Sequence, residues 1–259
     1  MRVLVAPFVA LFLAAALADA EAPLYSSNSI VNSADNQPGP LAPNSLATIY
    51  GKNLAYGTKT LTADDVKGGV LPTVLPGTGV RVLVANILAN PIYVSPSQIN
   101  LLVPPNLIPG TVNVSVVVDS WAGPAVPVQI SSIAPALFQL DEQNAIATHA
   151  DGSLVTPGAP AKPGDTIVLY ATGLGQTAPP VLYGILPASA ASLAVSGFVV
   201  LLDGVPVDPG AILYAGVCPG FTGLYQINLT LPSSAGPNPQ ISIGFAGTLS
   251  PPVSIPVQP

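Results

Sequence analysis

The amino-acid sequence predicts an all-β protein made of two similar β-sandwiches, and three observations support this fold class. First, residues 45–55 (SLATIYGKNLA) return about 120 residues later as residues 165–175 (DTIVLYATGLG), and residues 97–104 (SQINLLVP) return as residues 225–232 (YQINLTLP). Second, apolar and polar residues alternate along many short segments, which is the pattern of strands with one buried face. Third, 24 glycines and 31 prolines supply frequent turns.

The charge of the chain limits the partners that it can bind. Charged residues make up 7% of the sequence, against about 25% in a typical soluble domain, so the charged faces of a helical bundle are missing. The net charge is −6, and lysine and arginine together number six. Because nucleic-acid binding depends on a cationic surface that displaces counterions, that class of protein is excluded.

The N-terminus has the three parts of a secretory signal peptide. Arg2 is followed by an apolar run over residues 3–17 and by the small-residue site ADA at residues 18–20. The alternative is a buried or membrane-anchoring helix, for which the run is short, since a membrane span takes about 20 residues. We therefore expect residues 1–20 to be removed after Ala20, which leaves a secreted or periplasmic protein without a stable membrane anchor.

The first sandwich is predicted over residues 21–133, with an Asn- and Ser-rich lead-in. Its strands alternate with period two, which gives each strand one apolar face for a core. Pro127 falls in the last strand and lacks the N–H of a ladder, so that strand is expected at a sheet edge. The predicted inward stripes are Val80, Val82 and Val84; Ile99, Leu101 and Val103; and Val112, Val114, Val116 and Val118.

The second sandwich is predicted over residues 163–259 with the same alternation. Asp203 and Gly204 lie between apolar strands and predict a two-residue hairpin, since both central positions of that turn favour positive φ. Pro256 in the last strand marks another edge. The predicted inward stripes are Ile227, Leu229 and Leu231; and Ile241, Ile243 and Phe245.

Residues 134–162 are predicted to form a short linker with a hairpin around Asp151 and Gly152. Short strands separated by turns, in two modules, are typical of immunoglobulin-like sandwiches. A single cysteine excludes the Cys…Trp…Cys pattern of antibody domains. The predicted fold is therefore all-β, with two tandem immunoglobulin-like β-sandwiches joined by this hairpin-containing linker.

Four segments resemble the Solibacter-type C-terminal domain of secreted acidobacterial proteins. They are residues 30–55, which contain IVNSA and PGPLAPNSLATIYGKNLA, residues 92–100 (IYVSPSQIN), 163–175 (PGDTIVLYATGLG) and 220–228 (GFTGLYQIN). Each module is also similar to IPT/TIG-type immunoglobulin folds. The resemblance implies a fold and secretion but no activity, because that family offers no catalytic residue to carry over to this sequence.

Candidate catalytic and metal-binding residues are few. His149, Asp151 and Ser153 are close in sequence, but alternate residues of a strand are about 7 Å apart, too far for the direct hydrogen bonds of a triad. Calcium binding is the open alternative to plain loop polarity for the linker residues, which are Asp141, Glu142, Asn144 and Asp151. We predict that the protein is not an enzyme and has no catalytic, cofactor-binding or metal site and no cofactor.

Cys218 is the only cysteine, so no disulfide forms within the chain. In an oxidising compartment such a thiol either packs inertly or pairs with another chain. The apolar segments on both sides of Cys218 favour packing.

Aromatic residues in turns are the candidate ligand contacts. Trp121 is predicted at a hairpin tip, and Tyr183 and Phe221 lie in turn-like segments. Exposed rings stack on sugars or anchor protein contacts; the alternative is that each ring folds over the edge of its own sandwich. The predicted function is non-enzymatic binding or structural organisation outside the cell, with a protein, a polysaccharide or an envelope component as partner. A non-covalent accessory module of a secreted hydrolase is the alternative.

Overall fold

The computed structural model describes residues 21–259, and the predicted signal peptide lies outside them. Residues 21–259 form four sheets that make two sandwiches, with short 3₁₀ turns at Ser27–Ser29, Ala63–Asp65 and Pro209–Ala211. Helices long and apolar enough to cross a membrane do not occur in this part of the chain. The predicted all-β, immunoglobulin-like fold class is confirmed.

The first sandwich contains two five-stranded sheets. One sheet has the order β1 (Ile30–Asn32), β2 (Leu46–Tyr50), β7 (Gln98–Leu102), β6 (Asn90–Val94) and β3 (Lys59–Thr60). The other has the order β10 (Val126–Ile130), β8 (Gly110–Val118), β4 (Val80–Val84) and β5 (Ile87–Leu88), with β9 (Trp121–Ala122) also paired to β8.

The second sandwich has a corresponding strand order. Its larger sheet has the order β11 (Ala136–Leu137), β13 (Thr166–Thr172), β19 (Tyr225–Thr230), β18 (Ile212–Val217), β15 (Ala191–Leu193) and β14 (Thr177–Ala178), with β12 (Ala147–His149) also on β13. The smaller sheet has the order β17 (Val205–Pro206), β16 (Val199–Leu202), β20 (Gln240–Phe245) and β21 (Thr248–Leu249), with β22 (Val253–Ser254) also on β20. Strands β2, β7 and β6 of the first sandwich therefore occupy the places that β13, β19 and β18 occupy in the second.

Alternation along the strands produces the two cores. In β4 the valines 80, 82 and 84 are buried while Arg81 is exposed, as the period of two requires. In β19 the apolar residues Ile227 and Leu229 are fully buried, and the alternating residues Gln226 and Asn228 are half-buried on the opposite face. Each fully buried aliphatic side chain contributes about 1.5–3 kcal/mol. The predicted stripes are present, except that Val112 at the start of β8 is only partly buried.

The segment predicted to be a linker also contributes to the second sandwich. Strands β11 and β12 both pair with β13. Ala145, Val155 and Ala161 lie in the same hydrophobic core as Ile167 and Leu169. Because its small apolar side chains complete that core, the segment does more than join the two sandwiches.

The predicted turns and edges are visible in the backbone. Asp203 and Gly204 have φ values of 49° and 78°, and the flanking residues Leu202 and Val205 pair with each other. Around Asp151, the N–H of His149 donates to the carbonyl of Ser153 over 2.8 Å, which closes the second hairpin. Pro127 lies in β10, an edge strand. Pro256 differs from the prediction, because it lies beyond the end of β22.

Candidate functional surface

The repeated Gln-x-Asn motif forms a polar pair on the outer face of the first sandwich. In β7, Gln98 and Asn100 point away from the core that Ile99 enters, because successive side chains alternate along a strand. The Gln98 Nε2 atom donates to Asn100 Oδ1 over 2.8 Å. Tyr50 of β2 lies opposite Gln98, and Tyr93 of β6 lies opposite Asn100. These two tyrosines and the amide pair between them are called the first patch.

The second sandwich carries the same four residue types at the same positions. In β19 the Gln226 Nε2 atom donates to Asn228 Oδ1, again over 2.8 Å. Tyr170 of β13 lies opposite Gln226, and Tyr214 of β18 lies opposite Asn228. These four residues are called the second patch. The patch is thus present twice, once on each sandwich.

The internal amide bond holds each pair in place and uses only part of its hydrogen-bonding capacity. The bond uses one Gln N–H and the Asn carbonyl oxygen, whereas each side-chain amide has two N–H donors and a carbonyl acceptor. The Gln carbonyl oxygen and the Asn amide nitrogen remain to bond a partner. Since both side chains are half-buried on a sheet face and bonded to each other, the fold holds their positions.

Hydrogen bonds also fix one flanking tyrosine of each patch, Tyr214 in the second and Tyr50 in the first. The Tyr214 hydroxyl donates to the carbonyl of Val217 over 2.7 Å, and a Cβ at Gly216 would lie 2.6 Å from the Tyr214 oxygen. The ring therefore lies along β18 above the glycine. Burial raises the pKa of Tyr214, which keeps the phenol neutral. In the first patch the hydroxyl of Tyr50 donates to Asn36 Oδ1 over 2.9 Å, and the Tyr50 side chain is 38% exposed.

Both patches are built from uncharged groups. Each offers two phenols and two amides, and the nearby ion pair, Lys59 Nζ to Asp65 Oδ2 at 3.0 Å, joins edge strand β3 to the following 3₁₀ turn. Amides bond hydroxyl groups as both donor and acceptor, and tyrosine rings combine an apolar face with a polar tip. The chemistry of the patches suits a neutral, hydroxyl-rich ligand better than a charged one.

A buried threonine joins the strands that carry the two patches. The N–H of Leu46, at the start of β2, donates to Thr172 Oγ1 over 2.9 Å. The Thr172 hydroxyl donates in turn to the carbonyl of Gly223 over 2.7 Å, and Thr172 is fully buried. A Cβ at Gly223 would lie 2.8 Å from Leu102 Cδ1 and 3.0 Å from Leu46. We call this contact between the sandwiches the junction.

Tyr183, a predicted ligand contact, is part of the same junction. Its hydroxyl donates to the carbonyl of Leu88 over 3.2 Å, and burial raises its pKa. Beside it, the N–H of Leu71 donates to Gly184 and the N–H of Leu186 donates to Gly69, over 2.7 and 2.9 Å. The Tyr183 ring also lines a cavity of about 350 Å³ with Tyr225.

Phe221 and Trp121, the other predicted ligand contacts, lie far from each other. Phe221 is 59% exposed at an apolar groove of about 450 Å³ beside the junction. Trp121 begins β9 directly after a two-residue turn, is 47% exposed and lies opposite Val118. Val118 is at the end of β8 away from Gly110, about 26 Å along the strand, and Gly110 pairs with Ile130 just before the second sandwich. The structure therefore places Phe221 and Tyr183 at the junction and Trp121 at the remote end of the first sandwich.

The polar residues of the 149–153 hairpin bond in a way that differs from a catalytic triad. Ser153 Oγ donates to Asp151 Oδ1 over 2.6 Å, whereas His149 Nε2 lies 3.2 Å from the carbonyl oxygen of Ala159. The bonds from Ser153 lower the pKa of Asp151. The serine hydroxyl is thus oriented by the aspartate within a turn.

Asp141 of the linker bonds to nearby groups of its own turn. Asp141 Oδ1 accepts the N–H groups of Gln143 and Asn144, each over 2.8 Å, and the Asn144 side chain also donates to this carboxylate. These bonds, first those of the Asn144 side chain, lower the pKa of Asp141. In the part of the chain that the structure describes, groups of three or more His, Cys, Asp or Glu side chains that could hold a metal do not occur.

Solved structures that match the chain include two glycan-binding proteins and an S-layer protein. SGBP-B of the Bacteroides ovatus mixed-linkage glucan utilization locus, solved with a mixed-linkage heptasaccharide, is 12% identical, with 93% of this chain covered and 47% of that chain, at a TM-score of 0.36. The surface glycan-binding protein PbSGBP-B from Prevotella bryantii is 14% identical, with coverages of 89% and 41% and a TM-score of 0.28. Domains 5–6 of the S-layer protein SbsC are 10% identical, with coverages of 91% and 98% and a TM-score of 0.29. The chain spans about half the length of the first of these.

Sequence comparison identifies a domain in the first sandwich. A search of curated proteins gives no match. Residues 29–135, which hold β1 to β10, match the IPT/TIG domain family. The first sandwich therefore contains an IPT/TIG domain.

Proposed function

We propose that this protein is a non-enzymatic module that binds a neutral polysaccharide outside the cell. The observation that supports the proposal is the duplicated patch, in which a bonded Gln–Asn pair lies between two tyrosines on each sandwich. The location outside the cell rests on the signal peptide predicted over residues 1–20. As an accessory module of a secreted hydrolase, the same surface would hold the polymer near a separate enzyme.

Retention in polysaccharide gels tests the proposal. Residues 21–259 are run through native gels that contain hydroxyethyl cellulose, mixed-linkage glucan, xylan or galactomannan, with the polyanion alginate for comparison. We expect at least one neutral polymer to retard the protein and alginate to leave it unaffected. The variant Gln98→Ala with Gln226→Ala should lose most of the retardation, because one amide of each patch is removed.

Gln129→Ala is the matched control. Gln129 is an exposed glutamine of edge strand β10, and its side chain accepts a bond from Thr111 over 3.1 Å on a face without the tyrosine pair. This variant should migrate like the unaltered chain. Free migration of the unaltered protein in every neutral gel, or equal retardation of the double Gln variant, would contradict the proposal.

Trp121→Ala separates the two candidate surfaces. The first patch and Trp121 lie on different sheets of the first sandwich, since the first patch lies on β2, β6 and β7 and Trp121 begins β9, which pairs with β8. We expect Trp121→Ala to keep most of the retention. If retention disappears in this variant and survives in the double Gln variant, the binding surface is at the remote end instead.

A further inference from the structure

Resting on the proposed function, we infer that both patches bind one polysaccharide chain at the same time. The inference concerns the relation between the patches, which the junction fixes. It also specifies the ligand more closely, as a neutral polymer with a repeating unit, because two patches of the same composition recognise the same unit twice.

The strands that carry the patches meet end to end. Leu46 begins β2 and Thr172 ends β13, and these two residues share a hydrogen bond of 2.9 Å. Tyr50 lies four residues beyond Leu46, and Tyr170 lies two residues before Thr172, which corresponds to about 13 Å and about 7 Å of strand. With the junction itself included, the two patches are therefore no more than about 30 Å apart. A polymer can span any separation up to this limit.

The junction holds this separation nearly constant. Thr172 is fully buried and bonds both Leu46 and Gly223, and the bonds of Leu71 and Leu186 tie the second sandwich to the loop after β3. With the sandwiches fixed in this way, a polymer bound at one patch meets the second at a high effective concentration. Two linked weak sites of this kind raise the overall affinity by about 10²–10⁴-fold.

The experiment compares a polymer with its own trisaccharide. Two variants each disable one patch: Gln98→Ala with Asn100→Ala, and Gln226→Ala with Asn228→Ala. Calorimetry is done with whichever of the four neutral polymers retards the protein, and with the trisaccharide of that polymer. We expect each variant to bind the trisaccharide at one site instead of two with unchanged affinity, and to bind the polymer at least tenfold more weakly than the unaltered chain.

A length series on the unaltered chain gives a second readout that needs no substitution. Affinity should rise steeply once the oligosaccharide is long enough to reach both patches, and little before that. Thermal unfolding checks that the variants keep the fold. Because all four substituted side chains lie on outer sheet faces, we expect the variants to unfold at the same temperature as the unaltered chain.

The outcomes separate this inference from the proposed function. If each single-patch variant binds the polymer with the affinity of the unaltered chain and only half its capacity, the patches bind separate chains; the inference is then wrong and the proposed function stands. A smooth length dependence without a steep rise leads to the same conclusion. If the unaltered chain binds no neutral polymer, the proposed function is wrong and the inference with it.

Discussion

The hydroxyl of Thr172 accepts one hydrogen bond and donates another where the two sandwiches meet. Its acceptor role satisfies the N–H of Leu46, and its donor role satisfies the carbonyl of Gly223. Valine has the same shape without the hydroxyl, so it would fill the space and leave both backbone groups unpaired. A buried group that loses its partner costs more than the net value of the bond itself.

Thr172→Val is expected to lower the free energy of unfolding by about 2–4 kcal/mol. Urea denaturation followed by tyrosine fluorescence measures this difference. Thr166→Val is the control, because the Thr166 hydroxyl bonds the hydroxyl of Thr230 at a half-buried position of the same strand. Equal losses in the two variants would show that the junction bonds carry no special weight.

Gly223 lies at the junction with φ of 73°. Gly220 has φ of 81° in the same loop, but the space that a Cβ would take there is open to a distance of 4 Å. Alanine at either site takes the left-handed conformation, which costs about 1–2 kcal/mol. Only at Gly223 must Leu46 and Leu102 also move.

We therefore expect Gly223→Ala to be about 1–3 kcal/mol less stable than Gly220→Ala. Thermal unfolding of both variants beside the unaltered chain gives the comparison. A Gly223→Ala variant as stable as Gly220→Ala would mean that the leucines shift at no cost.

At the level of elements, each strand keeps its two faces distinct. In β8 the buried Val114 lies beside the exposed Asn113, and both residues pair with β10. A carboxylate introduced at residue 114 would therefore lie in the core, whereas one introduced at residue 113 would lie in water.

Val114→Asp is expected to destabilise the first sandwich by about 4 kcal/mol or more, because it buries an unpaired charge. Asn113→Asp places the same carboxylate in water and should change stability by less than about 0.5 kcal/mol. Circular dichroism during thermal unfolding distinguishes the two. A native melting curve for Val114→Asp would show that the side chain can turn outward.

The 3₁₀ turn at Ala63–Asp65 makes the stability of the first sandwich depend on pH in the acid range. Asp65 Oδ2 accepts from the Thr62 hydroxyl over 2.7 Å and from its N–H over 2.9 Å. The bond from the Thr62 side chain first, and then Lys59, lowers the pKa of Asp65 from 3.8 to about 2. Since this folded-state pKa is below the unfolded value, the stabilisation is complete above pH 3.8 and is lost as the pH falls towards 2.

Asp65→Asn should therefore flatten the fall in stability between about pH 4 and about pH 2, which denaturation at a series of pH values measures. Asp64→Asn serves as control, because Asp64 is exposed and its replacement leaves the bonds of Asp65 in place. An identical acid profile for Asp65→Asn and the unaltered chain would contradict this assignment.

For the whole molecule, the sequence was sufficient for the fold class and insufficient for the surface. Alternation predicts which face of a strand is buried, so the stripes through Val82 and Ile227 could be predicted from one sequence. The patches depend on which strands are neighbours and in what register, because Tyr50 meets Gln98 only through the pairing of β2 with β7, which are distant in the chain. The repeated Gln-x-Asn motif was visible in the sequence, but there it indicated only that a β module is duplicated. The tyrosines that complete each patch could not be assigned to it without the strand pairing.

The 134–162 segment shows the same limit at larger scale. From the sequence, this segment was predicted to be a linker with a hairpin. Its short apolar side chains, mostly alanines, give only a weak strand periodicity. Only the neighbouring strand β13 shows that Ala145 and Ala147 complete a core. Trp121, similarly, is prominent as the single tryptophan, but its distance from the junction follows from the length of β8.

The hairpin at Asp151 and Gly152 is exposed, yet the chain on either side of it is held by pairing to β13 and by the junction bonds. A protease that cleaves there would break the covalent connection without separating the halves. The nicked protein should elute from a sizing column as one species and divide into two fragments only in denaturant. An intact peptide bond at this point would then be needed for the chain to fold, and would contribute little to holding the two fragments together afterwards.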